Sequence, residues 1–135
     1  MCLKYSKATD YALHTMLFLM AATPDKAVGV QQLAEKQGVS PTYLSKILTK
    51  LAKADMIEST SGAHGGYKLK RNWEKLSFLD IIHAIEGTSS LFDCSLDHGP
   101  ECPIQQVVEV AEAKMEQHLR QQTLATLAIK MKDKL

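Results

Sequence analysis

Two sets of side chains in this sequence of 135 residues are equipped for chemistry. The first sits in the segment Asp93-Cys94-Ser95-Leu96-Asp97-His98-Gly99-Pro100-Glu101-Cys102. Two thiols in a flexible loop could approach to disulfide distance. A helix beginning near Cys102 would favour its thiolate, the reactive form, while Asp93, Asp97 and Glu101 oppose that charge. The same segment could hold a metal ion through Cys94, His98 and Cys102 with Asp97 or Glu101, although it lacks the paired C-x-x-C knuckle of a zinc site. A loop with no chemistry is the plain alternative. The second set is Ser40, Thr42, Tyr43, Ser45, Lys46, Thr49 and Lys50: short hydroxyls, an aromatic ring and lysines. Such groups meet phosphates and base edges.

The elements that must carry the second set are written in local punctuation. Leu33, Ala34 and Gln37 share one face of a short helix that Gly38 ends, since glycine accepts a left-handed backbone freely. Val39 fills the angle to the next helix. Ser40 is a good N-cap and Pro41 suits the first helical position, where its missing N–H costs nothing. Leu44, Ile47, Leu48 and Leu51 then recur at helical spacing and face inward along a helix from Pro41 to Ala54. A β-prone run from Met56 to Thr60, a turn rich in glycine, and a second run from Tyr67 to Lys70 follow. This order is that of a winged helix-turn-helix, whose second helix fits the major groove. In the wing, His64, Gly65, Tyr67 and Lys68 are expected at the DNA, with Lys70 and Arg71 beside them. A small protein-docking winged helix is the alternative.

Charge favours DNA. Residues 26–75 carry nine Lys and Arg against four Asp and Glu, whereas residues 76–135 carry five against nine. The overall charge of +1 therefore hides a basic middle and an acidic end, as expected for one polyanion-binding face.

The remaining chain predicts three further elements. An amphipathic first helix turns Ala8, Ala12, Met16, Leu19 and Met20 to the core. Its apolar run from Leu13 to Ala22 is too short to cross a membrane and is broken by His14. Ser77 and Asp80 start a short helix that buries Phe78, Ile81, Ile82 and Ile85 and ends at Gly87. From Ile104 to about Lys132 a pattern without Pro or Gly predicts one helix, ~42 Å long at 1.5 Å per residue. Its stripe of Val107, Val108, Ala111, Met115 and Leu119 beside Ile104 calls for a second copy of the chain, with folding back onto the domain as the alternative. The expected fold is mainly α with a small β-wing: a winged helix-turn-helix over residues 1–87, a sensor loop at 88–103 and a long C-terminal dimerisation helix at 104–135. Three cysteines without a credible export signal suggest the cytoplasm. No phosphate loop, nucleophile elbow or catalytic carboxylate pair appears, so an enzyme is not expected.

Nearly the whole chain resembles the Rrf-two family of bacterial regulators. The resemblance runs through KYSKATDYALHTMLFLM, LAEKQGVSPTYLSKILTKLAKADMI, the wing signature GAHGGYKL, LSFLDIIHAIEG, the cysteine loop and QTLATL. It implies a homodimeric, sequence-specific transcriptional regulator of double-stranded DNA, expected to repress, with a sensory site before the last helix. Thiol or redox sensing through Cys94 and Cys102 is one implied control. An iron–sulfur cluster or another metal is the other; relatives with a cluster use three loop cysteines plus a further ligand, where this loop supplies two. His98 or Cys2 would have to complete the set. Ser61 also stands where family wings commonly have arginine, with His64 a partial substitute, and Ser45 where many relatives have glutamate, so a different DNA site is expected.

Overall fold

The computed structural model describes residues 6–22, 26–63, 65–88 and 102–132. Cys2, His64, Cys94 and His98 lie outside the described residues. Helices α1 (Lys7–Ala21), α2 (Val30–Gln37) and α3 (Pro41–Lys53) are followed by strands β1 (Ile57–Thr60) and β2 (Gly66–Leu69). A 3₁₀ turn at Trp73–Lys75 leads into α4 (Phe78–Glu86), and α5 (Pro103–Gln121) and α6 (Leu124–Lys132) complete the order. No described helix is long and apolar enough to cross a membrane.

Each helix of the helix-turn-helix starts and stops where its residues dictate. Gly38 has φ +69°, and Val39 N–H returns to Ala34 O at 3.1 Å, closing α2 with a left-handed cap. Ser40 caps α3, its Oγ accepting from Tyr43 N–H at 3.1 Å. Leu44, Ile47, Leu48 and Leu51 are all buried, with Leu33 and Ala34 of α2 beside them and Met16 and Leu19 of α1 in the same core. Fully burying one such leucine contributes roughly 1.5–3 kcal/mol, so this inward row fixes how α3 is rolled. The half-buried Gln37 donates from Nε2 to Thr15 Oγ1 at 2.8 Å, and that hydroxyl donates to Tyr11 O at 2.7 Å.

The end of α3 uses an unusual residue. Asp55 takes φ +63°, with its N–H on Ala52 O and Met56 N–H on Leu51 O, the place normally held by glycine. The reversal launches β1, which pairs antiparallel with β2 in the register Ile57↔Leu69, Glu58↔Lys68, Ser59↔Tyr67 and Thr60↔Gly66. Val28 adds a bridge on the other side of β2, exchanging two 2.8 Å hydrogen bonds with Tyr67. Gly66 must be glycine: a Cβ there would collide with the carbonyl of Val28.

Three expectations need correction. The capping box of α4 forms as read, Ser77 and Asp80 each bonding the other's backbone N–H at 3.0 Å, but Leu79 is buried in place of Phe78, and Phe78 is half-buried. The helix expected over 104–132 is interrupted. Gln122 is extended, Phe78 N–H donates to Gln122 O and Leu124 N–H to Leu76 O, both at 2.8 Å. These bonds and the Ser77↔Thr123 bridge are worth more there than helical continuity. Helix α6 then folds back: Leu124 is buried in the core, with Leu127, Ala128 and Met131 packed against it. Third, the apolar stripe of α5 divides. Val108, Met115 and Leu119 are half-buried on the side where Glu112 is buried, while Ala111 is exposed and Ile104 and Val107 are 67% and 69% exposed.

Candidate nucleic-acid interface

Helix α3 presents the candidate interface on the face opposite its leucines. Thr42, Tyr43, Lys46, Thr49 and Lys50 are exposed, and Ser45 is half-buried at the edge of that face. Two hydroxyls are already engaged: Ser40 in the cap, and Thr49 Oγ1 donating to Ser45 O at 2.8 Å. Tyr43 meets the Tyr11 ring edge-on at 5.8 Å between centroids, so α1 braces the aromatic ring of the recognition helix. Lys53 is exposed one turn beyond Thr49 and Lys50 and extends the same face. Sequence reasoning passed over it, although its spacing of seven from Lys46 was a usable signal. The first turn of α2 was missed too. Gly29 supplies no side-chain cap, leaving N–H groups beside a crevice lined by Ser59, Thr60 and Gly65.

The wing departs from the sequence picture. The Tyr67 ring packs against the core, because it shares a strand face with Leu69 rather than with Lys68. Gly65 donates N–H to Gly62 O at 3.0 Å and closes the turn, and a Cβ on it would strike the Thr60 carbonyl oxygen. Lys68 points outward but is 3.5 Å from Glu58. Lys70 lies 3.0 Å from Asp55 and 3.8 Å from Glu58. The hydrogen bond and charge of Asp55 hold the Lys70 ammonium above its ordinary value. Pairs this exposed add little to stability.

A carboxylate at the end of α4 also lies close enough to α3 to feel the charge of Lys50. Glu86 Oε2 accepts from Ser6 N–H at 2.7 Å, Ser6 Oγ at 2.9 Å and Thr9 Oγ1 at 2.6 Å, tying the end of α4 to the first turn of α1. Desolvation pushes its pKa up, but the bonds from Thr9 and Ser6, with the charge of Lys50, outweigh it and hold the carboxyl below its ordinary value.

The family model described as "Iron-dependent Transcriptional regulator", Rrf2, matches residues 5–130. The chain belongs to the Rrf2 family. Among Rrf2 relatives, it is 30% identical over 129 residues to the HTH-type transcriptional regulator NsrR of Geobacillus kaustophilus, covering 93% of this chain and 88% of that protein. Its fold matches CymR, the global cysteine regulator of B. subtilis, with TM-score 0.81 and 26% identity over 96% of this chain and 98% of that one. The IscR structure from T. potens gives TM-score 0.77 and 31% identity, covering 96% of this chain and 88% of that one. The protein is accordingly a DNA-binding transcriptional regulator with a winged helix-turn-helix.

Of the residues expected to sense or to bind metal, the structure describes Cys102 alone. It is 3% exposed and occupies the N-cap of α5. Among the described residues no group of three His, Cys, Asp or Glu side chains could hold a metal ion, and Cys2, Cys94 and His98 lie outside them.

Proposed function

We propose that the protein reads duplex DNA as a homodimer and represses transcription, with α3 in the major groove and the exposed side of α5 against a second copy. The observation that carries this is the division of α3: one face wholly buried, the other offering Thr42, Tyr43, Lys46, Thr49 and Lys50. Ser40, Ser45 and Gly65 lie at the margins of that contact, and the uncapped start of α2 is suited to a backbone phosphate. The dimer reading is supported by Ile104, Val107 and Val110, large apolar side chains left exposed along α5. Two half-sites about one helical turn apart would match such a pair. The setting is the cytoplasm. A gel shift on the DNA upstream of the protein's own gene tests the reading; retention of that fragment no stronger than of a shuffled duplex counts against it.

Control through thiols is supported by the position of Cys102 at the start of α5. In the step this requires, one of the two thiolates takes an oxygen from a hydroperoxide, releasing the alcohol or water, and the other thiol then displaces water to form the disulfide. Closure would pull on α5 and alter the half-site spacing. DNA binding should respond to peroxide in the native protein and not in Cys94→Ser or Cys102→Ser. A response that survives both replacements removes the loop thiols from the mechanism.

A further inference from the structure

The lysines of the wing are not arranged like those of α3. Cross-strand register sets Glu58 directly opposite Lys68, and their charged groups lie 3.5 Å apart. Lys70, next on the same strand face, bridges Glu58 at 3.8 Å and Asp55 at 3.0 Å. The four groups alternate in sign, Asp55–Lys70–Glu58–Lys68, and sum to zero. Asp55 is fixed in place by the left-handed turn that ends α3, so one end of the row is anchored in backbone geometry. The side chains of Lys68, Lys70 and Glu58 are about a third to two-fifths exposed, too wet for the row to serve as a stabilising core pair. What it does alter is the wing's charge toward a polyanion.

We infer that Glu58, with Asp55, is a specificity-determining residue of the DNA-binding activity: it holds Lys68 and Lys70 in internal ion pairs and so keeps the wing from adding to sequence-independent phosphate binding. Binding to DNA of any sequence is built phosphate by phosphate from Lys and Arg that release counterions. A lysine paired with a carboxylate brings no net charge toward a phosphate, and the carboxylate is itself repelled by that phosphate. Discrimination is thereby left to α3, with its exposed Lys46, Lys50 and Lys53. The inference rests on the reading of α3 and the wing as the DNA-facing surface.

The test is the salt dependence of binding to a random-sequence duplex of about 30 base pairs, where each engaged lysine adds about 0.9 to the slope of log K against log salt. In the native background, Lys68→Ala should leave the slope unchanged. Glu58→Gln should steepen it by about one, equivalent to a roughly 3.5-fold larger affinity loss between 50 and 200 mM salt, and Asp55→Asn should steepen it further. Adding Lys68→Ala to Glu58→Gln should cancel the gain. Asparagine tolerates the left-handed turn, and glutamine keeps the size of Glu58, so both variants should fold. The exchange Glu58→Lys with Lys68→Glu restores the pair and should return the native slope. The inference is overturned if Lys68→Ala alone lowers the native slope by about 0.9, or if Glu58→Gln leaves it unchanged. A native protein that binds no duplex at any salt would instead overturn the reading beneath it.

Discussion

Helices α3 and α5 each hide one face and expose another, and their exposed faces are chemical opposites. On α3 the open side carries hydroxyls, a tyrosine and lysines, with the leucines turned inward. On α5 the open side carries Ile104, Val107 and Val110, while Glu112 is buried on the domain side. A lysine-bearing face is stable in water and gains by meeting phosphate. An isoleucine–valine face gains by leaving water, so it calls for another apolar surface. Under the proposed function the contrast would assign two tasks, reading and pairing, to two separate helices.

The contrast breaks most visibly at α5. Replacing Val107 by Glu puts a charge into the apolar stripe and should weaken self-association by at least about a hundredfold. Sedimentation should then report monomer at concentrations where the native chain is paired. A native protein that is already monomeric would cancel the contrast. At α3, Lys46→Ala with Lys50→Ala should flatten the salt slope by about 1.8, an affinity effect of roughly tenfold across 50 to 200 mM salt, without altering self-association. Filter binding and sedimentation on one sample would tell the two faces apart.

The smallest effect lies in the tie between the end of α4 and the start of α1. The Glu86 carboxyl is held below its ordinary value of 4.5, so the folded state favours the ionised form. Its contribution is present above that value and is lost as pH falls through the lower folded value. Glu86→Gln should therefore lower Tm by roughly a few degrees near pH 7, with the gap closing as the pH falls below 4.5. A gap that persists unchanged into acid would mean that the loss is one of packing.

The helix-turn-helix was legible because its instructions are local. Gly38, Ser40, Pro41 and the leucine row act over three or four residues, and each acts as read. The break at Gln122 was illegible for the opposite reason. No proline or glycine marks it; it exists because Leu76 and Phe78, more than forty residues earlier, offer backbone partners. In the wing, the alternation of strand faces is readable, yet Tyr67, expected on the DNA side, belongs to the core side. The Glu58–Lys68 pair needed the hairpin register, which depends on how the turn from Ser61 to Gly65 closes. At the candidate site, the outward face of α3 was readable from helical spacing, Lys53 extends it by one more turn, and the pairing of the wing lysines with Glu58 and Asp55 came only from the fold.

The return of α6 has a consequence in time. Leu124 occupies the interior of a unit whose other members begin at Ala12, so the winged helix is first to be synthesised and last to be finished. A ribosome that has made residues only as far as Gln121 has produced the reading helix and the wing with a hole where Leu124 belongs. The nascent chain must wait for α6 before the DNA-binding unit is whole.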